Sequence, residues 1–177
     1  MADFATVAEL ELRTGMVGLG ARGTAVLADV SAQIRLHTGQ DLDVVTGRQE
    51  EFAGEGQYFI TLTQEPVTAV SAITVDGVAF TDWHWSRYDA TRGIRKTDWT
   101  AWDDGPIIVT YDSGFASTED EMLGVKAICI EAASRALGGF QETFGIDVVE
   151  ERGAPYVVSF SEEEERFLDR FAPLVTG

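Results

Sequence analysis

Pro66-Val-Thr-Ala-Val-Ser-Ala-Ile-Thr-Val75 runs directly into Asp76-Gly77 and then Val78-Ala-Phe80, and this stretch decides the fold class. Its residues alternate with period two. Val67, Ala69, Ser71, Ile73 and Val75 fall on one side and Thr68, Val70, Ala72 and Thr74 on the other, the pattern of an extended strand. Asp-Gly readily adopts the two positive φ values of a type I′ turn, so Ile73–Val75 should fold back on Val78–Phe80. Upstream, Gln57-Tyr-Phe-Ile-Thr-Leu-Thr63 alternates as well, with Tyr58, Ile60 and Leu62 in phase, until Pro66 breaks the run. Downstream, strands are expected at Trp83–Tyr88, at Ile94–Lys96 after Arg92-Gly93, and at Ile107–Tyr111 after Gly105-Pro106. Residues 41–115 therefore read as a small antiparallel sheet or sandwich.

Both flanks change period to that of a helix. Thr6-x-x-Glu9 is a capping box and Gly15 a stop for a first short helix. A second spans 21–37, with Leu27, Val30 and Ile34 on one stripe and Thr38-Gly39 closing it. Thr118-x-x-Glu121 opens the longest helix, 119–137, which Gly138-Gly139 should end. Its apolar stripe, Met122, Val125, Cys129, Ala132 and Ala136, is widened by Leu123, Ala127, Ile130 and Leu137, as in a helix contacted on two sides. Glu131 and Arg135 stand at i, i+4 for a surface pair. After an extended segment, Tyr156 to Phe160, Ser161-x-x-Glu164 caps a last helix. Glu162, Glu163, Glu164 and Glu165 sit at its positive end, and Arg166 and Arg170 lie towards its negative end. Phe167, Leu168, Phe171 and Leu174 then form an apolar tail, a candidate partner surface. The fold class is α+β, one domain overall: a helical body of residues 1–40 and 116–177 with β-structure, 41–115, inserted.

Length and charge bound the function. A chain of 177 residues, 45% hydrophobic and 10% aromatic, buries a real core. No stretch approaches the roughly 18 consecutive apolar residues of a membrane span, and the start lacks a basic and then apolar leader, so synthesis in the cytoplasm is expected. Cys129, in an apolar helical run, reads as a small buried hydrophobe. Thirty acids against thirteen bases give a net charge of −17. Residues 1–40 hold four acids and three bases, whereas residues 41–115 and 116–177 each hold thirteen and five, so the nets are −1, −8 and −8. Such a surface is suited to solubility, or to lying near nucleic acid without holding it, and argues against ordinary duplex binding.

The residues that could carry chemistry lack the spacing for it. His37 and His84 have neither the i, i+4 partner nor the cysteine company of a zinc site. No nucleophile elbow, phosphate loop or dinucleotide fingerprint occurs, and Gly15–Gly23 reads as a connection between helices. Asp41 with Asp43, Asp103 with Asp104, and Glu162–Glu165 match neither a calcium loop nor a catalytic carboxylate pair. No cofactor or metal is called for. Trp83, Trp85, Trp99 and Trp102 cluster, with Thr81-Asp-Trp83 echoed by Thr97-Asp-Trp99; such aromatics are sheet cover or core, a platform for a carbohydrate-like ligand, or interface anchors.

The order of these pieces carries a resemblance. Helix 21–37 ending in Thr38-Gly39-Gln40, the strand Pro66-Val67-x-x-Val70-x-x-Ile73-x-Val75-Asp76-Gly77, the motif Val109-x-Tyr111-x-x-Gly114-Phe115, the helix after Thr118 and the ending Phe167-Leu168-Asp169-Arg170-Phe171 resemble the head-to-tail connector, or adaptor, proteins of long-tailed bacteriophages, those of actinobacteria especially. The likeness spans about Ala21 to Phe171; Gly15–Gly23 and the tryptophan-rich stretch 83–102 depart from it. It implies a non-enzymatic helical bundle with inserted β-structure, assembled as a ring of twelve in the virion neck below the portal. Such a ring extends the DNA channel and offers a docking face to the stopper or tail. Under that resemblance Tyr156, Phe160, Phe167, Leu168, Phe171 and Leu174 become candidates for portal docking. Asp76, Gly77, Trp83, Trp85, Trp99 and Trp102 become candidates for subunit or stopper contact, and Glu162, Glu163, Glu164 and Glu165 for facing the channel.

Overall fold

The computed structural model describes residues 3–85, 93–102, 105–144 and 158–172, with backbone alone for 139–144. The chain divides into two compact units, residues 1–40 with 118–177, and residues 41–117.

In the second unit, β1 (Val45–Ala53), β7 (Pro106–Ser113), β3 (Val67–Val75) and β4 (Val78–Phe80) form a four-stranded sheet in the order β1-β7-β3-β4. A second sheet has β2 (Ile60–Thr61), β6 (Gly93–Lys96) and β5 (Trp83–His84) in the order β2-β6-β5. All the strand pairs within these sheets are antiparallel. The expected hairpin forms, pairing Ile73 with Phe80 and Val75 with Val78. Both turn residues have positive φ, 50° at Asp76 and 75° at Gly77, as the primed turn demands.

Two details depart from simple alternation. The register of β3 against β7 slips between Val67 and Ala69 and again between Val70 and Ala72. Each slip inserts one residue and flips the phase of the residues beyond it. The side chains packed on the core are consequently Val67, Val70, Ile73 and Val75, rather than Val67, Ala69 and Ser71. The stretch 57–63 contributes only a two-residue strand. The longest unexpected element is β1, Val-Thr-Gly-Arg-Gln-Glu-Glu-Phe-Ala, at the edge of its sheet. Its charges are those by which edge strands discourage further pairing, and they mask its period in the sequence. One apolar cluster draws on both sheets, with Ile60, Leu62, Ile73, Ile94, Trp102, Ile107, Val109 and Tyr111 buried.

The first unit is helical. α1 (Val7–Thr14) carries the Thr6–Glu9 capping box and ends at Gly15 in the left-handed region, as expected. α2 (Gly20–Thr38) buries Val26, Leu27, Val30 and Ile34 and ends at Gly39, also left-handed. α3 (Asp120–Phe144) packs against both. It runs past Gly138-Gly139, because a glycine ends a helix only where the chain turns left-handed, and continuing costs about 1 kcal/mol per glycine. α4 (Glu162–Leu168) starts at the Ser161–Glu164 capping box and tightens into a 3-10 turn, Asp169–Phe171. The expected Glu131–Arg135 surface pair is replaced by bonds between elements. Glu131 pairs with Arg13 of α1, Lys126 of α3 pairs with Glu9, and Arg135 reaches Glu164 of α4. Cys129 is buried beside the Ser31 hydroxyl, and burial pushes its thiol up to about 11.

Candidate functional site

The apolar tail is the first candidate, and the structure corrects its premise. Leu168 is fully buried and Phe167 and Phe171 are half-buried, so the stripe is in part already covered. Phe167 lies across α3 at Gly124, where a Cβ would stand 2.4 Å from its Cζ. Glycine makes the socket, and the ring fills it. Phe171 meets Phe167 edge-on at 5.4 Å, and the Arg170 guanidinium lies 5.3 Å from the Phe167 ring centre.

Polar contacts fix the same segment from the other side. Arg135 donates to both Glu164 oxygens, at 3.1 and 2.6 Å, and to the Ser159 carbonyl at 3.1 Å. His37 Nε2 lies 2.9 Å from an Asp169 oxygen, with Phe160 edge-on to the same imidazole. Burial alone would raise the Glu164 carboxyl, but bonds from Arg135 and from Ser161 outweigh it and hold the group below the usual range. Glu164 is therefore a structural anchor, half-buried and bonded, whereas Glu162, Glu163 and Glu165 are exposed. Phe160, Phe167 and Phe171 keep part of their surface outward, whereas Tyr156 and Leu174 lie outside the described residues.

α3 shows a second face. Met122, Val125, Cys129, Ala132 and Ala136 are buried, as is Ile128. Leu123, which was expected to widen the covered stripe, is 48% exposed, Ala127 is exposed and Ile130 is half-buried. Of the widening residues Leu137 is buried, as expected, whereas Leu123, Ala127 and Ile130 form a short apolar strip, one turn apart, that the described residues leave wholly or partly uncovered.

The tryptophans are sorted by burial in the second unit. Trp102 is fully buried, edge-on to Phe80 at 5.5 Å, and Trp83 and Trp85 pack half-buried on the same core. A platform of four exposed rings, the arrangement considered for a carbohydrate-like ligand, is therefore not formed. Trp99 differs. It is 58% exposed at a turn closed by its N–H on the Lys96 carbonyl at 3.2 Å. The neighbouring Asp98 accepts from the Thr100 N–H at 3.0 Å and hydroxyl at 2.8 Å, and those bonds hold its carboxyl below the usual range. Trp99 has φ of 61°, a left-handed backbone unfavourable for a bulky residue. Arg95 places its guanidinium 3.9 Å from the indole centre, and Phe59 meets it edge-on at 6.2 Å.

One polar cluster was not anticipated. Glu50, on β1, accepts from the Tyr111 hydroxyl at 2.5 Å, from the Thr63 N–H at 3.1 Å and from the Thr63 hydroxyl. Burial first, and then Glu50, pushes the Tyr111 phenol far above its ordinary range, so it stays protonated and donates. The cluster ties β1 to β7 and to the stretch after β2. Arg48 on the same strand pairs with Asp41, whose N–H donates to Gln64 at 2.9 Å. Sequence reasoning missed Glu50 and Gly124; the available signal for the latter was an isolated glycine inside a helical pattern. Among the described residues no group of three or more His, Cys, Asp or Glu is placed to hold a metal, and no helix is long and apolar enough to cross a membrane.

No protein-family model matches the sequence, and no curated protein matches it either. Solved structures do. A chain in the neck of an empty gene transfer agent (GTA) particle, computed with C6 symmetry, aligns with a TM-score of 0.57 and 17% identity. A chain in the virion of a native GTA particle gives 0.54 and 16%, and one in the neck of a native GTA particle computed with C12 symmetry gives 0.53 and 17%. Each alignment covers 97% of this chain and 91% of the other. At such identities the likeness is one of fold.

Proposed function

We propose that this chain is a structural subunit of the neck of a phage-like particle, a connector of the adaptor type that forms a ring below the portal and extends the DNA channel towards the tail. The observation that carries the reading is the fold shared over nearly the whole length with neck chains of GTA particles, whose necks were computed with C6 and C12 symmetry. The order of sequence motifs resembling phage connectors supports it independently. Charge supports it as well: at −17 the surface repels phosphate, which suits a conduit through which DNA must slide. The uncovered strip Leu123, Ala127 and Ile130 suits a ring, where each copy must present a face to its neighbour. On this reading, residues 161–174 dock on the portal through the outer surfaces of Phe167 and Phe171, with Phe160 beside them and Leu168 acting as the inner anchor that holds the segment in place. Disruption of the gene in a particle-producing host tests the function. The expected outcome is DNA-filled heads lacking tails; particles with normal necks and tails would contradict it.

A further inference from the structure

Trp99 is an exposed aromatic held in an unfavourable backbone conformation, and among the described residues nothing covers its outer face. The turn around it is tied by Asp98 and Thr100, its inner edge rests on Phe59, and one face is stacked on Arg95. A large rigid side chain that is prepositioned in this way loses little entropy on binding, the character of an interface anchor.

Charge selects the occupant. Among the described residues of the second unit there are three bases against ten acids. Arg48 pairs with Asp41, and Lys96 is 7% exposed. Arg95 is the remaining cation, and among the described residues it forms no ion pair. Its guanidinium is spread against the Trp99 ring, while its Nε is buried with no hydrogen-bond partner. Copies that each carry −17 repel one another, so a stable contact between them places a cation and apolar surface where an acid of the neighbour can reach. We infer that Trp99, seated on Arg95 and Phe59, is the anchor by which one copy of this chain grips the next. The inference rests on the ring reading above and names the contact that closes it. Arg95 pairs with a carboxylate of the neighbouring copy while Trp99 enters an apolar recess there. The two sides differ, as a ring of like subunits requires.

The test compares the full-length wild-type chain with Trp99→Ala, Arg95→Glu and Arg95→Lys, by light scattering alone and with the portal protein, with circular dichroism to verify folding. Wild type should assemble. Trp99→Ala and Arg95→Glu should remain folded yet need at least about tenfold higher concentration to assemble, a loss of about 1.4 kcal/mol per interface, and Arg95→Lys should retain most of the assembly. Acrylamide quenching of wild-type tryptophan fluorescence gives a reading without a variant: one accessible tryptophan should become shielded on assembly. Trp99→Ala rings formed at wild-type concentration, or an indole still quenched within the ring, would overturn the inference and leave the ring reading standing. Rings of Trp99→Ala that fail to recruit a tail component would reassign the anchor to that component and equally overturn it. A wild-type chain that forms no ring under either condition would bring down the ring reading itself, and this inference with it.

Discussion

The carboxyl-terminal segment and the Trp99 turn both present large apolar side chains near a unit's surface, and the structure treats them oppositely. In the segment, Leu168 is buried, Phe167 is seated on Gly124, and Arg135 and His37 hold the polar side. At the turn, Trp99 is supported from below and left open above. An apolar stripe in a sequence therefore does not define a free surface; what lies opposite it decides, here a glycine on α3 in one case and solvent in the other. The inward contacts of the segment, Leu168 and the Phe167–Gly124 seat, should govern stability, and Trp99 should govern association between copies.

That contrast can be broken by substitution, beginning where the cost is greatest. Trp102→Ala empties the core of the β unit and should cost about 3–5 kcal/mol, read as a lower denaturation midpoint. Leu168→Ala should cost about 2–5 kcal/mol in the helical unit, with faster proteolysis between residues 158 and 172; an unchanged midpoint would mean that the segment is not anchored as described. Gly124→Ala sets two effects against each other. The helix gains about 1 kcal/mol in propensity, while the methyl displaces the Phe167 ring at an overpacking cost of about 1–3 kcal/mol. The net should be a loss of about 0–2 kcal/mol, with hydrogen-exchange protection of residues 161–171 falling, whereas a merely surface glycine would give a gain in stability.

Smaller still is the Arg135–Glu164 contact, a partly exposed pair worth about 0.2–1 kcal/mol. Because Glu164 titrates below its ordinary value when folded, its contribution is complete above the unfolded carboxyl value of about 4.3 and is lost as the pH falls through the lower folded value. Glu164→Gln should flatten that acid-side decline and leave stability near neutral pH only slightly reduced. Trp99→Ala comes last for stability, within about 0.5 kcal/mol of wild type as surface changes usually are, although its effect on assembly should be large.

Much of this was legible in the sequence where the signal is local. The capping boxes at Thr6 and Ser161, the stops at Gly15 and Gly39 and the Asp76-Gly77 turn act within four residues, and each appears where its chemistry places it. The illegible part depends on partners distant in the chain. β1 is a strand because β7 pairs with it, despite Arg-Gln-Glu-Glu at its centre. The bulges in β3 are a matter of register against β7 and leave no mark in its own alternation. Arg135 and Glu131 have the spacing of a helical pair, but Arg135 gains more hydrogen bonds from Glu164 and the Ser159 carbonyl, and Glu131 pairs with Arg13 of α1 instead. At the candidate sites the sequence identified the aromatic residues and left their exposure open, since the same four tryptophans serve as core, as sheet cover and as an exposed tip.

The central claim, that the chain closes into a ring on a portal, is tested most directly by the mass of the purified protein mixed with the portal protein of the same particle, measured by light scattering. The account predicts a complex that carries many copies of this 19.3 kDa chain for each portal ring. A chain that stays monomeric and indifferent to the portal at every concentration would contradict it.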